Sequence, residues 1–148
     1  MASATARLLR RALALSGRER LLFLRAWIML LAVPSALRLL PFRRVLALLE
    51  TPTMSRGGQP IDAERLADLV DAAGRHHLFT PTCLHRALVL YGLLSPRDGG
   101  AELILGTRRV GGKLEAHAWL EQAGSVLPAA PVSGSYQPLL RWKRERAR

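Results

Sequence analysis

Cysteine is nearly missing from this chain: Cys83 is the only one among 148 residues. A single thiol excludes an internal disulfide framework, and nothing else calls for an oxidising compartment. Aromatic residues are also scarce, 5% against 49% hydrophobic overall, so the core must be built mainly from leucine, alanine and valine. At this length that is enough for one domain with a real core. Acidic residues number 11 against 22 basic ones. No long uncharged apolar run accompanies this excess. The run from Ala26 to Leu37 has twelve residues and contains Pro34. A bilayer crossing takes ~20 apolar residues. A buried helix, or one lying on a partner or a membrane surface, is therefore expected rather than a single crossing.

The net charge of +11 is unevenly placed. Residues 1–50 carry +7, residues 51–140 balance, and residues 141–148 carry +4. Basic ends suit an acidic partner, a membrane surface or nucleic acid. Nucleic acid is set aside: the excess is nearly all arginine, without aromatic interleaving and without a zinc-finger or RNP-type motif.

Residues 1–15 are rich in Ala, Leu and Arg, with the texture of a transit peptide but no cleavage-like site. Ser16-Gly17-Arg18-Glu19 matches a capping box, which predicts a helix from there to Val33, ending before Pro34. A second helical stretch follows over Ser35–Glu50, interrupted by Pro41. Thr51–Pro60 has linker composition. The expected organisation is a basic helical segment over 1–50, a linker over 51–60 and a core domain over 61–148. In that core Asp62 caps a helix with Leu66, Leu69, Val70 and Ala73 on one face, and Gly74 takes the C′ role. After a Ser-Pro-Arg-Asp-Gly-Gly loop, Ala101–Val110 and Lys113–Gln122 alternate as strands about a Gly111-Gly112 hairpin turn. Ala123-Gly124 turns the chain again into Ser125-Val126-Leu127, and Tyr136–Trp142 supplies one more strand. Helices followed by a small antiparallel sheet make an α+β fold.

The chemistry gathers on Thr80-Pro81-Thr82-Cys83-Leu84-His85-Arg86. With Thr80 as N-cap and Pro81 at the first helical position, Cys83 falls in the first turn. There, free amides and the helix dipole favour the thiolate that a nucleophile requires. Leu84, Ala87, Leu88 and Tyr91 follow at helical spacing as a core stripe. On the strand Leu114–Glu121, His117 shares a face with Glu115, Trp119 and Glu121, and Leu114, Ala116, Ala118 and Leu120 form the other. Glu121 stands four residues from His117, ~13 Å along a strand, too far to orient it. A cysteine at a helix start with a histidine on a neighbouring strand is the papain-type pair, in which imidazole takes the thiol proton and returns it to the leaving amine. His76, His77, Cys83, His85 and His117 match no standard zinc spacing, so neither metal nor cofactor is expected. Arg108 and Arg109 read as a solvated strand end.

Three motifs in order carry a resemblance. Thr82-Cys83-Leu84-His85-Arg86-Ala87-Leu88, Ala101-Glu102-Leu103-Ile104-Leu105-Gly106-Thr107-Arg108-Arg109 and Glu115-Ala116-His117-Ala118-Trp119-Leu120-Glu121 resemble the transglutaminase-like core of lasso peptide B proteins, over about residues 80–142. The leucine- and arginine-rich N-terminal half resembles the stand-alone form of these leader peptidases. The resemblance implies Cys83 as nucleophile and His117 as base. Arg86 reads as structural or substrate-facing, and Trp119 as a substrate contact. The resemblance also implies a precursor peptide as substrate, a separate leader-recognition protein, an asparagine-synthetase-like lasso cyclase and a cytoplasmic location, with peripheral membrane contact as a further expectation. Many family members carry an aspartate twelve residues after the histidine; here Ala129 stands there. A backbone carbonyl of Leu127–Ala130 or the amide of Gln137 would then have to orient His117. Two rival readings remain open. One is a catalytically silent adaptor that binds precursor and cyclase; the other is a basic membrane-surface or nucleic-acid binder.

Overall fold

A computed structural model describes residues 14–51, 61–94, 100–127 and 135–143. The basic N-terminal stretch to residue 13, most of the linker, the loop 95–99, Ala129 and the basic tail from residue 144 lie outside the described residues. The described residues include four helices, α1 (Gly17–Leu39), α2 (Phe42–Glu50), α3 (Ala63–Arg75) and α4 (Cys83–Leu93), and then four strands. These are β1 (Glu102–Val110), β2 (Lys113–Gln122), β3 (Ser125–Val126) and β4 (Gln137–Lys143), in the order β3-β2-β1-β4. All pairings are antiparallel, and the fold is α+β as the sequence predicts.

The capping box at Ser16 is present. Glu19 N–H donates to Ser16 Oγ at 3.2 Å and Ser16 N–H donates to Glu19 Oε2 at 2.8 Å. The predicted end of this helix is not where the sequence puts it: α1 continues through Pro34 to Leu39, a total of 23 residues. A proline inside a helix removes one i→i−4 bond and costs about 3 kcal/mol in isolation. Here the turns before the proline are held by burial of Ala26, Leu30 and Val33, and the turn after it by half-buried Leu37 packed on the same core. The chain breaks instead before Phe42, where Pro41 is the N-cap of α2. By length and composition α1 could therefore cross a membrane, so length does not set it apart from a span.

Composition separates a basic N-terminal half from a neutral half, but the hydrophobic core is continuous across them. Ala26, Leu30, Val33 and Leu46 pack in one cluster with Leu66, Val70, Leu88, Leu90, Leu103 and Leu120. Glu50, the last residue of α2, accepts from Tyr91 Oη at 2.6 Å and from Trp142 Nε1 at 3.0 Å, joining α2, α4 and β4 at one carboxylate. At the centre is α4, which touches α1, α2, α3, β1 and β2. Its run Ala87–Tyr91 is buried on every side. Such a helix has no solvent face, and the uninterrupted apolar sequence is the reason it can stand there.

Asp62 occupies the N-cap position of α3 without a side-chain cap bond, and Leu66, Leu69, Val70 and Ala73 are buried as expected. Gly74 is not the C′ residue; α3 runs to Arg75 and is capped by His76. Gly74 instead gives room to Arg86, whose Nε would lie 3.0 Å from a Cβ there. The hairpin follows the sequence: Val110 pairs with Lys113 about Gly111 and Gly112, both at positive φ. The second turn pairs Gln122 with Ser125.

Candidate active site

The helix carrying the cysteine begins two residues later than the spacing suggests. Thr82 is its N-cap, not Thr80, and Cys83 is its first residue. The cap is a box closed by a histidine. His85 N–H donates to Thr82 Oγ and Thr82 N–H donates to His85 Nδ1, both at 3.3 Å. That arrangement requires Nδ1 unprotonated. Burial, and next the charge of Arg38, hold the His85 pKa below the usual imidazole range, which keeps it so. Arg86 N–H goes to the Thr82 carbonyl at 3.1 Å. The amides of Cys83 and Leu84 are thus left as the open donors of the helix start. No acidic residue lies in the first turn, so the positive end of the dipole has no resident counter-charge. Cys83 is half-buried and packs against the core cluster.

His117 sits midway along β2, opposite Gly106 of β1. Ala118 and Leu120 enter the core that α4 fills, and His117 and Trp119 alternate with them on the other face. The expected division of β2 holds only in its second half: Leu114 and Ala116 extend beyond the core and are exposed. The His117 ring lies 6.0 Å from Trp119, nearly parallel to it, and 5.1 Å from Tyr136. Arg108 places its guanidinium carbon 4.6 Å from the Tyr136 ring centre and donates from Nε to Glu115 at 2.8 Å. It is therefore part of the histidine's wall rather than a solvated strand end. Gly106 is glycine for a steric reason. A Cβ there would stand 2.7 Å from the Trp119 ring and 2.9 Å from the Gln137 carbonyl.

Burial, and next the positive charge of Arg108, push the His117 pKa down, so the ring is neutral at pH 7. Its Nε2 is buried and has no hydrogen-bond partner among the described residues. Glu121 does not supply one: it takes Trp119 Nε1 at 3.0 Å and Arg141 at 3.1 Å. The neighbour brought to the ring just before β4 is Tyr136, in a tilted ring contact, and not the amide of Gln137. Pairing along the second hairpin continues to Leu127, whose N–H donates to Leu120 at 2.9 Å; Ala129 lies beyond the described residues. No hydrogen bond joins Cys83 to His117 among the described residues.

The other singled-out residues have local roles. Arg86 turns to α3 and pairs with Asp71 at 2.6 Å. Trp119 is buried at 6% exposure, so substrate could reach only its edge. His77 lies between Trp27 and Phe79, and its Nε2 stands 3.1 Å from the Trp27 carbonyl. Trp27 Nε1 donates to the His76 carbonyl at 3.3 Å. These contacts fasten α1 to the segment before α4. Among the described residues no group of three His, Cys, Asp or Glu side chains could hold a metal ion. Tyr136 is the neighbour that reading β2 alone misses. Its signal was available: a last strand antiparallel to β1 puts residue 136 beside Arg108.

The sequence model described as the transglutaminase-like superfamily matches residues 29–141. The chain belongs to that superfamily. The match begins inside α1 and ends inside β4, so it takes in the N-terminal helices as well as the sheet. No curated protein and no solved structure matches the chain.

Proposed function

We propose that this transglutaminase-like protein is a cysteine peptidase that removes the leader from a ribosomally made precursor peptide, as the stand-alone B proteins of lasso peptide biosynthesis do. The observation that carries the reading is Cys83 as first residue of the central helix, beside two open amides and no acidic residue. The order of the three motifs supports the leader-peptidase assignment.

In the reaction, His117 takes the Cys83 proton and Sγ attacks the carbonyl carbon at the leader–core junction. The oxyanion forms by the Cys83 and Leu84 amides. Collapse breaks the C–N bond, and the imidazolium gives its proton to the leaving amine of the core. Water then hydrolyses the leader thioester and regenerates the thiol. The neutral resting state of His117 is the form a base requires. Cys83 stands on the α4 side of the sheet and His117 on its opposite face, so this proton transfer requires β2 to rearrange when substrate binds.

The adaptor reading is favoured by one observation, the buried Nε2 without an acceptor. The two are separated by incubating the protein with precursor and its leader-binding partner and following peptide mass. Cleavage at a single junction supports the peptidase. Intact precursor, with the protein folded and the ternary complex formed, supports the adaptor.

A further inference from the structure

Helix α1 is apolar on two opposite sides. One side, with Ala26, Leu30 and Val33, is buried in the core. The other bears Leu21, Leu24, Ile28, Leu31 and Leu39, exposed by 57, 52, 53, 39 and 82%. At about 100° per residue these five fall on one stripe. Arginines border the stripe on both edges, Arg18 and Arg25 along one, Arg20 and Arg38 along the other. The only acidic residue of the helix, Glu19, is engaged by its capping box and by Arg65 at 2.7 Å.

We propose that this stripe lies on an anionic lipid bilayer, its leucines inserted to the level of the acyl boundary and its arginines on lipid phosphates. The charge pattern matches what an interfacial helix needs, an apolar face with cationic edges. Arg43, Arg44 and Leu48 of α2 are exposed as well. Leu21, Leu24, Ile28 and Leu31 have a spacing that would also suit a partner helix. Against that occupant, both edges of the stripe carry arginine and the helix's one acidic residue, Glu19, is engaged at the cap, a charge pattern that suits an anionic surface rather than a second helix. Burial of the opposite side in the protein core makes α1 a helix that lies along the membrane rather than across it.

The test is flotation of the full-length protein with vesicles of phosphatidylcholine alone and of phosphatidylcholine with phosphatidylglycerol. Binding to the anionic vesicles alone is expected, with loss at high salt. The pair Leu24→Ser and Ile28→Ser removes exposed side chains only, and thermal unfolding checks that the fold survives. It should weaken binding by about tenfold or more. Failure of the wild-type protein to float with anionic vesicles overturns the proposal. So does binding that the serine pair leaves unchanged, which would mark a purely electrostatic surface such as one for nucleic acid. A wild-type dimer that the serine pair converts to a monomer would assign the stripe to a second copy and overturn it too. None of these outcomes depends on peptide cleavage.

Discussion

Helices α1 and α4 both start with a capping box, and the boxes are closed by different chemistry. At α1 the closing residue is Glu19, whose pKa is held below the usual carboxylate range chiefly by the Ser16 backbone amide and then by Arg65. A negative charge there complements the dipole and is devoted to stability. At α4 the closing residue is His85, neutral at pH 7, and the first turn holds no acid. The same hydrogen-bonded device therefore fixes the helix start without neutralising it. The positive end of α4 remains for a charge that appears during reaction, on Cys83 or on a substrate oxygen.

The largest change should come from the partner on β2. His117→Ala should lower cleavage by about 10³-fold or more if imidazole moves both protons, with little change in thermal stability. Its depressed pKa sets the pH profile: the neutral base persists below the usual imidazole range, so the acidic limb should lie below about pH 6.5. Arg108→Gln should move that limb upward, since a cation beside the ring is lost. The linkage to folding has a definite sign. The unfolded chain binds a proton at His117 more readily than the native one. Stability should therefore fall as pH drops through the usual imidazole range, and stop falling below the folded value.

Next in size is an exchange of the two boxes. His85→Glu gives α4 the closing residue of α1. Melting temperature should hold or rise, because glutamate suits an N-terminal turn. Cleavage should fall by about tenfold, because the new carboxylate opposes negative charge at the same helix start. An unchanged rate would show that the neutrality of this box has no part in the chemistry.

Much of this geometry was legible in the sequence, and the misses have physical causes. The hairpins were readable because Gly111-Gly112 and Ala123-Gly124 sit between alternating runs. The register then fixes which residues share the face of His117. Helix boundaries were harder. Pro34 normally ends a helix, but packing on both sides holds α1 through it. Thr80 and Thr82 are equal as caps by type; the choice went to the one whose N3 residue, His85, can close a box. The surroundings of His117 were least legible: Arg108 reaches it across the local β1–β2 hairpin, but Tyr136 is brought there by pairing of β1 with β4, far apart in sequence.

The smallest effect belongs to α1. Ser16→Ala should cost about 1 kcal/mol of stability and leave cleavage unchanged, since that box serves the fold alone. Glu19→Gln should lower the melting temperature near neutral pH and lose its effect as the medium is acidified. The native contribution is present above the unfolded carboxylate pKa and disappears as pH falls through the depressed folded value.

The central claim, that the start of α4 carries covalent chemistry, is tested most directly by the cleavage rate of Cys83→Ala with precursor and leader-binding partner. The substitution removes one sulfur atom from a half-buried first-turn position, so the melting temperature should change little. A folded protein that still binds precursor and yields no leader fragment is expected. A folded Cys83→Ala protein that releases leader at the wild-type rate would contradict the claim.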